Sequence, residues 1–185
     1  GNNGSRDGDS PAAYRYTECK LSKAGEEMLM DIKKNAVDWQ LAYTDEENEP
    51  IYLPGNIPNL LVNGTMGIAV AMACSFAPHN MNEIMDAAIK LLDNPETTVK
   101  DLLNIVKGPD FPTGGVVEGK EGLIQAYTTG RGKVVVKAKT EIVQEKGKHQ
   151  IIIHEIPYEV LKEQLRKKIE DIKIDKKVDG ITDVI

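Results

Sequence analysis

Residues 133–156 read KVVVKAKTEIVQEKGKHQIIIHEI, and this stretch is the strongest indicator of the fold class. From residue 133 to 142, a mainly apolar set of side chains alternates with a mainly charged set, which is typical of a half-buried β-strand. The apolar set is Val134, Val136, Ala138, Thr140 and Ile142. The turn Lys146-Gly147-Lys148 leads into a second apolar strand at 150–156. The stretch therefore predicts a hairpin with one solvated, basic face.

Helical patterns lie on both sides of this hairpin. Asn80 and Thr98 each stand where an N-cap residue is expected, and a short helix near 121–129 stops at Gly130. After Pro157, apolar residues recur at helical spacing, from Val160 and Leu161 to Ile172. Strands and helices mix without regular alternation, which favours an α+β fold.

The first 35 residues predict two helical pieces. Ser10 followed by Pro11 is typical of a helix start. Thr17 offers a second cap, and a long amphipathic helix with an apolar face through Ile32 is expected after it. Residues 14–16 fall at the junction of the two pieces, where side chains can point away from the packed body.

Three further segments carry expectations. Residues 36–56 predict a short β excursion with an acidic tip at 45–49. Residues 60–62 are predicted to form a buried strand that ends in a tight turn at Gly64 and Gly67. Residues 178–185 are predicted to begin another strand.

Composition excludes several classes of protein. The chain has 185 residues, 41% hydrophobic and 28% charged, which is typical of a chain that forms a core. No apolar run is long enough to span a bilayer, and no secretory signal precedes the first helix, so we expect a cytoplasmic protein with no membrane partner. The sequence starts within a glycine-rich loop and stops within the apolar run 181–185, which predicts a fragment of a larger protein.

Metal and nucleotide sites are not expected in this chain. The three histidines lack paired ligand spacing, and two cysteines are too few for a cysteine zinc site. The glycine-rich start GNNGSRDGD lacks the lysine of a phosphate-binding loop. The net charge of −6 disfavours nucleic-acid binding as a whole, although basic residues cluster locally.

The segment AAYRYTE, residues 12–18, carries the most suggestive chemistry. A tyrosine hydroxyl can attack phosphorus, but it needs activation at neutral pH. A neighbouring guanidinium, here Arg15, can hold a phosphate through two hydrogen bonds. The alternative is that Tyr14 and Tyr16 are ordinary packing residues.

Two other features are candidates for contacts with DNA. Ile68 follows the predicted turn, where an apolar side chain can wedge between base pairs; the alternative is a core isoleucine. Lys133, Lys137 and Lys139 are predicted to share one face of a strand that could follow a phosphate backbone, and Arg131 precedes them. The alternative is an ordinary solvated face.

Six segments of the chain resemble, in order, the breakage-reunion (A) subunit of bacterial type IIA topoisomerases, the family of DNA gyrase and topoisomerase IV. They are GNNGSRDGDSPAAYRYTECKLSK (1–23), IPNLLVNGTMGIAVAMA (57–73), APHNMNEIMDAAI (77–89), KGPDFPTGG (107–115), TGRGKVVVKAK (129–139) and IIIHEIPYEVLKEQLRKKI (151–169). The resemblance covers nearly the whole chain. GNNGS and GPDFPTGG lean slightly toward topoisomerase IV, with gyrase left open.

The resemblance implies roles for individual residues. Tyr16 matches the tyrosine that forms a 5′-phosphotyrosyl bond with DNA, and Arg15 matches the arginine that supports the scissile phosphate. Ile68 matches the isoleucine that intercalates and bends DNA. Tyr14 stands where the family usually carries methionine, and Arg6, where an uncharged residue is more common, is expected to add a DNA contact.

The resemblance also implies an architecture and partners. Residues 1–52 would be the C-terminal part of a winged-helix domain, and residues 53–185 the first part of a mixed α/β tower domain. The partners would be double-stranded DNA, a second copy of the A subunit, and a B subunit with ATPase and Toprim parts, in a heterotetramer. Mg²⁺ and ATP would both be bound by the B subunit, and this piece alone would be inactive. A catalytically silent DNA-bending module of the same fold is the alternative.

Overall fold

The computed structural model describes residues 1–5, 7–145, 147–175 and 177–185. The contacts divide the chain into two units, one of residues 1–18 and 96–185 and the other of residues 19–95. In the described residues, every strand lies in a two-stranded antiparallel sheet, and helices are interspersed among the strands. This mixture agrees with the predicted α+β class. The expected domain boundary at residue 52 stays a prediction.

The unit of residues 19–95 consists of two hairpins and three helices. Its elements are α1 Lys23–Leu29, β1 Trp39–Leu41, β2 Asn48–Pro50, α2 Asn59–Asn63, β3 Thr65–Ala69, β4 Met72–Phe76 and α3 Met81–Asp93. β1 pairs with β2, which confirms the β excursion around the acidic tip. Asn80 caps α3 as expected, because its Oδ1 accepts hydrogen bonds from the amides of Asn82 and Glu83.

Three expectations for this region were wrong. Ser22, not Thr17, caps α1, and the helix ends after seven residues because the next residue, Met30, is extended, with a φ of −56° and a ψ of 139°. Residues 60–62 lie in helix α2 and not in a strand, since so short an apolar run has no distinctive period. The hairpin turns at 70–71, so that Gly67 lies inside β3.

The unit of residues 1–18 and 96–185 contains a 3-10 turn, three helices and four strands in its described part. The turn is Tyr14–Tyr16, and it is followed by α4 Val99–Leu102, β5 Val116–Glu118, α5 Glu121–Thr129, β6 Val135–Lys137, β7 Lys139–Glu145, β8 Lys148–Glu155 and α6 Lys162–Ile174. Thr98 caps α4 through a reciprocal capping box with Asp101. α5 has the predicted bounds, and Gly130 ends it in the left-handed conformation.

Four expectations for this unit need correction. Ser10 and Pro11 are not helical, and no strand forms in the described residues of 178–185. Val160 and Leu161 precede α6 and are exposed, and none of the described residues of α6 itself is buried. The period-two stretch is two strands, because β6 pairs with β5 whereas β7 pairs with β8. Alternation identifies an extended chain, but it does not reveal where the chain changes partner.

Two of the motifs in this unit are joined to each other. The Glu155 Oε2 accepts a hydrogen bond of 2.7 Å from the amide of Gly115, and the rings of Phe111 and Tyr158 stack with centroids 5.7 Å apart. A Cβ on Gly114, whose φ is +77°, would overlap the carboxylate of Glu155. The segments 107–115 and 151–169 therefore form one folded junction at the end of β8.

The Glu155 carboxylate makes this junction sensitive to acid. The amide of Gly115 and then the positive charge of Lys139, 3.5 Å away, lower the pKa of Glu155 from its usual value. Because the pKa is lower in the folded state, the stabilisation is present above the unfolded pKa of about 4.3 and is lost as pH falls through the folded value. In the full-length protein, we expect Glu155→Gln to accelerate hydrogen exchange at Gly115 at pH 7. The difference from wild type should shrink below about pH 4.

Glu145→Gln is the matched control, since Glu145 is an exposed carboxylate in the same hairpin. It should leave exchange at Gly115 unchanged. Equal exchange in the Glu155→Gln and wild-type proteins at pH 7 would contradict the assigned role of Glu155.

No side chain among the described residues is completely buried, and few are nearly so. The buried apolar residues are Val37, Ile84, Val106 and Leu123. Ile142 and Ile151, which pair across the β7–β8 hairpin, are both exposed. Within the described part of the chain, no helix combines the length and the apolar character needed to cross a membrane.

Candidate functional site

The 3-10 turn presents its tyrosine side chains outward. The amide of Tyr16 donates to the carbonyl of Ala13 at 2.9 Å, and the amide and hydroxyl of Thr17 both donate to the carbonyl of Tyr14, at 3.2 and 3.0 Å. Tyr16 is 67% exposed and Tyr14 89% exposed. The expectation that this segment points away from the packed body is confirmed, and Thr17 closes the turn instead of capping the next helix.

Arg15 lies against the ring of Tyr16. Its Cζ is 4.7 Å from the ring centroid, a distance typical of a cation–π contact. The guanidinium therefore lies over the exposed ring of Tyr16. Adjacency in sequence could not establish this arrangement, because side chains of neighbouring residues commonly point in different directions.

The described part of the glycine-rich segment, residues 1–5 and 7–12, lies beside the turn. A Cβ on Gly1 would come within 2.9 Å of Thr17 Cγ2 and 3.1 Å of the Tyr16 carbonyl oxygen. Ser5 Oγ donates to Asp9 Oδ2 at 2.7 Å, and the amide of Ala12 donates to the Asn2 carbonyl at 3.1 Å. These bonds close the segment on itself and hold it against the backbone of the turn.

Ile68 lies in β3, where it pairs with Ala73 across the β3–β4 hairpin. Its side chain is 84% exposed, so it is not a core residue. Val70, at the turn of this hairpin, is also fully exposed.

The base of the β3–β4 hairpin is closely packed. Gly64 has a φ of +67°, and a Cβ there would overlap the Phe76 carbonyl oxygen and lie 2.8 Å from the Pro78 nitrogen. The amide of His79 donates to the Val62 carbonyl at 3.1 Å, and its Nδ1 is 2.9 Å from the Leu61 carbonyl oxygen. Sequence analysis missed His79, since nothing in its local pattern marks it as buried.

The prediction that three lysines share one face of a single strand was wrong. Lys137 lies in β6 and forms a 2.6 Å ion pair with Glu118, whereas Lys139 lies in β7 beside Glu155. Lys133 precedes β6. The two strands belong to different sheets, and each of the two strand lysines faces a carboxylate across its own sheet.

The individual DNA-contact predictions stay open. Lys133 and Arg131 are exposed, and Arg131 exchanges backbone hydrogen bonds with the hydroxyl of Thr129. An exposed ion pair such as that of Lys137 contributes at most about 1 kcal/mol, so a phosphate can still compete for the lysine. Arg6 lies outside the described residues.

No metal site can be assembled from the residues that the structure describes. In that part of the chain, no three histidine, cysteine, aspartate or glutamate side chains lie close enough together to hold an ion. The described residues therefore do not fit an Mg²⁺ ion by themselves.

Comparison with known proteins assigns the family. The family of the A subunit of DNA gyrase and topoisomerase IV matches residues 1–185. The chain belongs to this family. The resemblance drawn from the six sequence segments is thereby confirmed.

The relatives include the A subunits of both enzymes. The chain is 53% identical over 185 residues to the A subunit of DNA gyrase from Clostridium acetobutylicum and covers 22% of that protein. It is 49% identical over 185 residues to the A subunit of DNA topoisomerase 4 from Bacillus subtilis and covers 23% of it. In both comparisons all of this chain is aligned. The chain thus spans less than a quarter of the length of these relatives.

Proposed function

We propose that this chain contributes the DNA-cleaving tyrosine of an ATP-dependent type IIA topoisomerase, with Tyr16 as the nucleophile. The observation that carries the proposal is the exposed Tyr16 on a hydrogen-bonded turn with Arg15 against its ring. This arrangement occurs in a chain that belongs to the family of gyrase and topoisomerase IV A subunits. The activity would allow duplex passage and so control supercoiling or decatenation.

The proposed reaction is a transesterification. The Tyr16 oxygen bonds to phosphorus as its proton passes to solvent water, and the bond from phosphorus to the 3′-oxygen breaks. The DNA 5′-phosphate stays on the tyrosine, and the 3′-oxygen takes up a proton to become a hydroxyl. Because one phosphodiester replaces another, attack by that hydroxyl reverses the step without an external energy source. Arg15 stabilises the charge on the non-bridging oxygens.

Ile68 is proposed as the wedge that bends the DNA. Inserting an apolar side chain between base pairs costs a few kcal/mol of unstacking, which the additional contacts along bent DNA offset. An isoleucine that is 84% exposed on a hairpin needs no rearrangement of a core to do this. Arg131, Lys133, Lys137 and Arg6 are proposed as contacts with the DNA backbone.

The remaining architecture is part of the same proposal, and family membership supports it. Residues 1–52 would end a winged-helix domain and residues 53–185 would begin a tower domain. Two A subunits would join two B subunits on double-stranded DNA in the cytoplasm. The B subunits would bind Mg²⁺ and ATP, so the isolated chain should not cleave DNA.

The test is to trap the covalent intermediate. The full-length protein, with its B subunit, Mg²⁺ and supercoiled plasmid, is quenched with denaturing detergent. Linear DNA with protein on its 5′ ends, attached through the peptide that contains Tyr16, is the expected product. DNA binding and bending without any adduct would instead support the catalytically silent module.

Arg15 should affect the rate of cleavage more than the binding of DNA. Loss of a charge-assisted hydrogen bond costs about 1.5–3 kcal/mol, so Arg15→Ala should slow single-turnover cleavage roughly 10- to 150-fold. Arg15→Lys keeps the charge without the planar two-donor geometry and should lie in between. An unchanged cleavage rate in Arg15→Ala would contradict a role at the phosphate.

A further inference from the structure

The base of the β3–β4 hairpin contains a buried histidine that the proposed reaction does not use. His79 is 8% exposed, and it is the buried polar side chain among the described residues. It follows β4 and precedes the Asn80 cap of α3. A polar side chain is rarely buried without hydrogen bonds, so its contacts indicate what holds this junction together.

His79 ties the end of the hairpin to the end of helix α2. Its backbone amide donates to the Val62 carbonyl and its Nδ1 approaches the Leu61 carbonyl oxygen at 2.9 Å. Because a carbonyl oxygen only accepts, Nδ1 carries the proton in this bond. Both acceptors lie in the last turn of α2, whose carbonyls have no partner further along the helix.

The same junction closes around Gly64. Helix α2 ends at Asn63, and β3 starts at Thr65, so Gly64 is the single connecting residue. The Ala77 carbonyl carbon lies 2.9 Å from where its Cβ would be, so the strand returning from the hairpin passes directly over this connection. Gly64 and His79 therefore hold the entering and leaving chains together at one point.

We propose that His79 is a positioning residue for Ile68. It anchors the base of the β3–β4 hairpin, so that the exposed isoleucine stays in place when it wedges between base pairs. The inference rests on the proposed function of Ile68. A two-stranded hairpin is marginally stable by itself. If its base were loose, the hairpin would tilt when Ile68 pressed against a base step, and the DNA would stay stacked.

The test compares side chains that keep or lose the Nδ1 donor. The amide nitrogen of asparagine can take the place of Nδ1, whereas that of glutamine lies one atom further out. The variants His79→Asn, His79→Gln and His79→Leu are made in the full-length protein, which is then assembled with the B subunit. Tyr16→Phe is included in every protein, so that bending is measured without cleavage.

Bending is measured by energy transfer between dyes on the two ends of a short duplex. His79→Leu should lower the ratio of bent to unbent DNA roughly tenfold, the effect of losing one buried hydrogen bond. His79→Asn should stay within about threefold of the protein with His79, and His79→Gln should resemble His79→Leu. Thermal unfolding shows which variants are folded. If His79 acted only by filling space, His79→Asn should bend DNA no better than His79→Gln, because Asn fills less volume than Gln.

Ile68→Ala separates this inference from the proposed function. Strong bending by His79→Leu together with weak bending by Ile68→Ala would overturn the role of His79 and leave the wedge intact. Rescue by Gln but not by Asn would also overturn it. Normal bending by Ile68→Ala would refute the wedge itself, and the positioning role with it.

Discussion

Replacing Tyr16 by phenylalanine is expected to abolish the covalent DNA adduct while DNA binding persists. The substitution removes the attacking oxygen and nothing else. Removal of a catalytic nucleophile lowers turnover by about 10⁴-fold or more in other enzymes. Because the side chain is 67% exposed, loss of the hydroxyl should change the free energy of unfolding by less than about 0.5 kcal/mol. The ring remains to contact Arg15.

Tyr14→Phe is the matched control for this prediction. It removes the same atom from the same 3-10 turn, and Tyr14 is even more exposed than Tyr16. Cleavage by Tyr14→Phe should equal that of wild type in the detergent-quenched plasmid assay. An adduct that survives in Tyr16→Phe and disappears in Tyr14→Phe would show that the nucleophile has been assigned to the wrong tyrosine.

Substituting Gly64 by alanine should strongly destabilise the β3–β4 hairpin. Gly64 has a φ of +67° and a ψ of 177°, a region that essentially only glycine adopts, and holding an alanine there costs about 1–3 kcal/mol. The new Cβ would also overlap backbone atoms of residues 76–78, which cannot rotate away as a side chain could. Overpacking of this kind typically costs a further 1–3 kcal/mol, so the sum is about 2–6 kcal/mol.

Hydrogen exchange across β3 and β4 in the full-length protein measures this effect. Gly67→Ala, three residues away in β3, is the control because a Cβ there meets nothing within 4 Å. It should change the local opening free energy by less than about 1 kcal/mol. Similar protection in Gly64→Ala and Gly67→Ala would contradict the packing described for the hairpin base.

Local signals in the sequence were sufficient for several elements. The Asn80 and Thr98 caps and helix α5 with its Gly130 stop were predicted in place, whereas the hairpin was predicted with its first strand beginning at 133 and not at 139. Each correctly placed element depends on side chains that interact with backbone within a few residues, so the information is contiguous in the chain. The segment AAYRYTE likewise identified the candidate tyrosine, because the resemblance to the family depends on the sequence of this segment and not on its fold.

Features that depend on contacts between distant residues could not be predicted from local patterns. The period-two stretch could not show that β6 pairs with β5, since alternation is the same for any partner. The residues 60–62 could not be distinguished as helix because three apolar residues fit both periods. The exposure of Ile68 likewise depends on which surfaces the rest of the fold covers.

Sequence alone was enough to identify the family, the candidate nucleophile and the elements whose caps and stops are local. The folded structure was needed to see that Arg15 stacks on Tyr16, that Glu155 holds Gly115 and that His79 joins two distant segments. The difference has a physical cause. Capping and periodicity are set by neighbours along the chain, whereas the pairing of a buried polar group depends on which carbonyl or amide the complete fold brings within about 3 Å.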